Sequence, residues 1–98
     1  MKENVIKEEV TLLGVSAMDF KTNDGSKICG YKYYCSRELK DSEKDGNFFG
    51  RKVEEIFIAR DNIDDKDKYK MKTFPCKATV EFEFISLNKK PKAISVVI

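Results

Sequence analysis

The sequence predicts a single all-β domain of about five strands forming a small barrel, with a projecting hairpin and at most a short helical turn. Residues 9–20, 52–59 and 77–85 are dense in β-branched and aromatic side chains, and KATVEFEFI alternates with a period of two. Turn formers cluster between such segments, at residues 21–26, 41–47 and 86–91. No segment keeps the helical apolar repeat long enough for a convincing long helix, and 98 residues match the size of one domain, 1–98. An open sheet or small β-sandwich fits the same pattern.

Each element follows from local chemistry. Residues 1–4 are polar and read as a frayed start. The segment EVTLLGVSAMDF is the first strand; its apolar residues share one face only if the register changes near Gly14, where a bulge would bend a long strand around a barrel. KTNDGS places Asp24 and Gly25 where a hairpin needs left-handed backbone, with Lys21 and Lys27 flanking the tip. The next strand sets Cys29, Tyr31, Tyr33 and Cys35 against Ile28, Gly30, Lys32 and Tyr34. The cysteines recommend the first set for the core, yet Tyr31 or Tyr33 is open to base stacking if the strand runs out of the barrel, with Lys32 or Tyr34 lining the other side.

Residues 41–47 read as a charged loop, after which Phe48 and Phe49 stand beside Arg51 and Lys52. Two rings next to two cations suit stacking and phosphate contact, or one ring simply caps the barrel mouth. KVEEIFIA has apolar residues on both faces and is expected to be central. Residues 60–67 form a loop or one short helical turn packing through Ile63. Lys66, Lys68, Lys70 and Lys72 then alternate, and extended backbone would put all four ammonium groups on one side. Lys89 and Lys90 make the last turn basic, and KAISVVI ends the chain with apolar residues on both faces, which a dimer interface would cover.

Composition narrows the function. Charged residues make up 37% and hydrophobic ones 41%, as in a folded chain with a densely charged surface. The net charge of +2 is too small to identify a polyanion partner, so any electropositive site must come from placement. Three cysteines without a histidine suit buried thiols in a reducing cytosol. No long apolar segment and a polar first ten residues predict a soluble cytoplasmic protein away from membranes. Without histidine or a phosphate-binding glycine motif, no enzyme, metal or cofactor is expected. Asp61, Asp64, Asp65 and Asp67 lack calcium-loop spacing, and Glu54, Glu55, Glu81 and Glu83 read as solvent-facing strand residues.

A five-stranded barrel with these loops suits the oligonucleotide-binding type, which binds through sheet faces and projecting loops. The order of glycine hairpin, Gly30-x-x-Tyr33 strand, charged connection, Val53-x-x-Ile56 strand, late hairpin and aliphatic end resembles the small single-stranded DNA-binding, helix-destabilising proteins of filamentous phages and related mobile elements. The resemblance implies an OB-fold homodimer that coats single-stranded DNA; the residues themselves leave RNA open as the other candidate. It puts the DNA-contacting tyrosine at Tyr33, the basic residues of the binding hairpin near Lys21 and Lys27, and the loop used across the dimer at residues 86–91. That loop here carries Lys89 and Lys90 without an aromatic residue. The competing reading is a structural or protein-interaction domain of a phage or conjugative element, with lysines serving solubility.

Overall fold

Strand β1, Val5–Lys21, is the spine of the molecule. Its first half pairs with β4, Cys76–Glu83, and its second half with β2, Lys27–Arg37, both antiparallel. The register on β2 slips between Leu12 and Gly14, as the sequence suggests, and the inserted residue is Leu13. A bulge at that point bends the strand so that one chain segment serves two flanks of a curled sheet. The computed structural model describes residues 5–44, 46–84 and 90–98; the start at residues 1–4 and most of the last turn, including Lys89, lie outside the described residues.

Strand β3, Lys52–Ala59, pairs with β2, and β5, Lys92–Val97, pairs with β4. The hydrogen-bonded order is β3-β2-β1-β4-β5, and the outermost strands β3 and β5 approach each other as the sheet curls into a half-barrel. β3 therefore ends the order, contrary to the central position expected for it. A 3₁₀ helix, Lys66–Met71, lies between β3 and β4 in the chain. This is a five-stranded OB-like fold with minor helical content.

Burial follows the pleat. Val10, Leu12, Tyr31, Tyr33, Cys35, Ala78 and Val80 form the core, with Val15, Ile56, Ile58, Phe82 and Val96 packed around them. Cross-strand partners fall on the same side: Leu12 with Cys35, Val15 with Tyr33 and Ile56, Tyr31 with Ile58. Burial pushes the Cys35 thiol up to about 11, with the nearby Glu54 carboxylate adding to the effect, so it stays a neutral packing group.

Polar side chains close both ends of this core. At one end the Arg37 guanidinium donates to both carboxylate oxygens of Glu43, at 2.7 and 2.9 Å, and to Glu54 at 2.8 Å. These bonds hold Arg37 charged, and with the Lys40 backbone N–H they bring Glu43 down to about 2. At the other end the 3₁₀ helix brings Tyr69 onto Tyr31 and Tyr33, edge-on to both. The Tyr31 hydroxyl donates to Asp65, and the Tyr33 and Tyr69 hydroxyls share a 2.8 Å bond. Burial first, then these bonds, raises both core phenols above their ordinary range.

Candidate nucleic-acid interface

Alternation that sends Tyr31, Tyr33 and Cys35 inward sends their neighbours outward. On the convex face of β2 and β3, Lys32 stands directly opposite Phe57, Tyr34 opposite Glu55, and Ser36 opposite Val53. Phe57 is 39% exposed and Val53 59%, although each lies in a paired strand. Lys32 reaches diagonally to Glu55, Nζ to Oε1 at 3.2 Å. Beside this square β1 offers Gly14 opposite Tyr34 and Ser16 opposite Lys32. A Cβ at Gly14 would meet nothing within 4 Å, so the ground next to Tyr34 is open.

Arg51 extends the face. Its guanidinium lies along β2 and β1, donating to Ser36 Oγ at 3.0 Å, the Ser36 carbonyl at 3.2 Å and Thr11 Oγ1 at 3.4 Å. Thr11 and Arg51 share an open groove with Lys7 and Lys77, tempered by Glu8 and Glu9. A ring, a phenol and several cations on one curved surface can stack bases and neutralise phosphates. Phe48 and Phe49 precede Arg51 in an exposed loop, Phe49 with 85% of its surface in solvent.

The structure divides the residues expected to act together. Tyr31 and Tyr33 are core residues at 0% and 4% exposure, and the stacking role expected of them is corrected accordingly. Their hydroxyls find partners in Asp65 and Tyr69, which is why two tyrosines can be buried side by side. Lys32, Tyr34 and Arg51 are brought together on the convex face. Lys52 instead pairs opposite Arg37 on the inner side, with its ammonium 3.8 Å from Glu43.

The alternating lysines are not an extended edge. A 3₁₀ helix turns every three residues, which scatters an every-second-residue pattern around its axis. Lys68 pairs with Asp65 at 2.9 Å and Lys70 with Asp67 at 3.1 Å. Lys21 and Lys27 sit opposite each other at the root of the hairpin on the side that carries Cys29 and Tyr31, away from Lys32. Lys90 is exposed just before β5.

The sequence pattern does not single out Phe57, Lys7 and Lys77. The period-two pattern of residues 52–59 contained Phe57, but apolar residues on both faces of that segment hid which face was wet. Glu54, expected to face solvent, turns inward to Arg37, whereas Glu55 is the solvent-facing one. Among the described residues no group of histidine, cysteine, aspartate or glutamate is arranged to hold a metal, and no helix is long and apolar enough to cross a membrane.

Fold and surface together define an OB-like half-barrel, a class generally associated with nucleic-acid binding. No family model, curated protein or solved structure matches the chain.

Proposed function

We propose that the protein binds single-stranded nucleic acid, DNA first, by stoichiometric association without catalysis. The observation that carries this reading is the exposed Phe57 ring beside Lys32 and Tyr34 on the β2–β3 face, the face such barrels use for oligonucleotides. Phe57 and Tyr34 stack on bases, while Arg51, Lys7 and Lys77 displace counterions from phosphates. Stacking reads no base edge strongly, so the protein tolerates many sequences, as coating of a replication or transfer intermediate of a phage or mobile element requires. The reading includes a homodimer, for which Val97 and Ile98 offer exposed apolar surface on and beyond β5.

Fluorescence anisotropy with single-stranded DNA, duplex DNA and RNA across a salt series tests it. Single strands should bind tighter than duplex, with log affinity falling with log salt at a slope of about −2 if roughly three phosphates are neutralised. Absence of single-strand binding at low salt would leave the convex face as a protein-interaction surface. Sedimentation at the same concentrations measures the dimer.

A further inference from the structure

Within that single-strand reading, we propose that the Lys32–Glu55 pair is a guanine-preferring base site. Glu55 is out of place on a phosphate-binding surface. On the β2–β3 convex face the outward positions are Ile28, Gly30, Lys32, Tyr34, Ser36, Val53, Glu55, Phe57 and Ala59, so Glu55 supplies the one carboxylate there. A carboxylate repels phosphate, so its favourable partner on a nucleic acid is a base amino or imino group.

The pair has a specific polarity. Lys32 Nζ, a donor, lies 3.2 Å from Glu55 Oε1, an acceptor, and the same carboxylate carries Oε2 as a second acceptor. That is a donor, acceptor, acceptor row. Guanine presents the complementary row on its pairing edge: O6 accepts, N1–H and N2–H donate. Thymine offers one donor between two acceptors, adenine a donor beside an acceptor, and cytosine repeats the row of the pair itself. Glu55 is 58% exposed in its side chain and Lys32 31%, so the row is reachable without unfolding anything. Phe57 stands next to Lys32 and Tyr34 next to Glu55, giving neighbouring bases ring faces to stack on. In a duplex this edge of guanine is occupied, whereas a single strand leaves it free.

The test uses short labelled thymine oligonucleotides carrying isolated guanines, in lithium buffer to keep four-stranded structures from forming, compared with all-thymine strands and with hypoxanthine in place of guanine. The full-length protein should bind the guanine strands about five- to tenfold tighter than all-thymine, and hypoxanthine, which lacks the N2 amino group, should lose most of that gain. Glu55→Gln removes one acceptor and should abolish the preference while all-thymine binding persists, with a thermal melt checking the fold. Equal binding of guanine, hypoxanthine and thymine strands, or a preference that survives in Glu55→Gln, would overturn the guanine site alone. No binding of any strand at low salt would overturn the single-strand reading and this site with it.

Discussion

Tyr33 lies in the core and Phe57 on the surface, and the reason is visible in single residues. The resemblance put the DNA-contacting tyrosine at Tyr33, and a buried phenol needs a partner; Tyr69, 36 residues away, supplies that hydroxyl partner, which local sequence does not reveal. Tyr33→Phe should therefore cost about 1 kcal/mol of stability through the lost hydroxyl pair and leave nucleic-acid affinity unchanged. Tyr33→Ala should cost several times more by opening a core cavity, about 3–5 kcal/mol, which a denaturant titration measures. Glu43 provides a pH signature. Its folded pKa of about 2 lies below an ordinary 4.5, so its stabilising contribution is complete above that ordinary value and fades as pH falls toward 2. Melting temperature should drop across that window, and Glu43→Gln should be less stable at neutral pH with a shallower drop.

At the scale of elements, the hairpin and the bulge were legible because their chemistry is local. Asp24 accepts from the Thr22 hydroxyl and from the Ser26 N–H at 2.9 Å, and Gly25 adopts φ 88°, as residues 21–26 predict. β4 was equally readable, since Ala78 and Val80 bury while Glu81 pairs with Ser95 on the other face. The position of β3 was not readable, because an apolar residue on the outer face of an end strand looks the same as one in a central strand. A short helical turn was expected within residues 60–67, but the 3₁₀ helix lies at Lys66–Met71: alternating lysines fix no backbone conformation, and there Tyr69 docks on the core. Gly30 is a hidden constraint at this scale. Its φ is 153°, and a Cβ there would collide with the Ile58 carbonyl oxygen and come within 2.9 Å of Ala59 Cα. Gly30→Ala should break the β2–β3 pairing and lower the melting temperature sharply, whereas Gly14→Ala, with open space around it, should fold.

For the whole molecule, the strand order β3-β2-β1-β4-β5 turns a chain of weak local signals into a curved surface with a defined outside. Overall composition pointed to a folded, charged β domain, and a net charge of +2 gave no site. The candidate site emerged only once the register placed Lys32 against Phe57 and Tyr34 against Glu55. The bulge in β1 bends the sheet that presents this face, and polar clusters around Arg37 and around Asp65 close the two ends of its core. The same fold places Lys52 on the inner side near Glu43 and Lys68 and Lys70 on the 3₁₀ helix beside Asp65 and Asp67, away from the convex face. The central claim is that this convex face carries single-strand binding, and titration of a labelled single-stranded oligonucleotide with wild type and Phe57→Ala at low salt tests it most directly. Phe57 is partly exposed and outside the core cluster, so the variant should keep its fold and lose about 1–3 kcal/mol of binding. A folded Phe57→Ala protein that binds as tightly as wild type would contradict it.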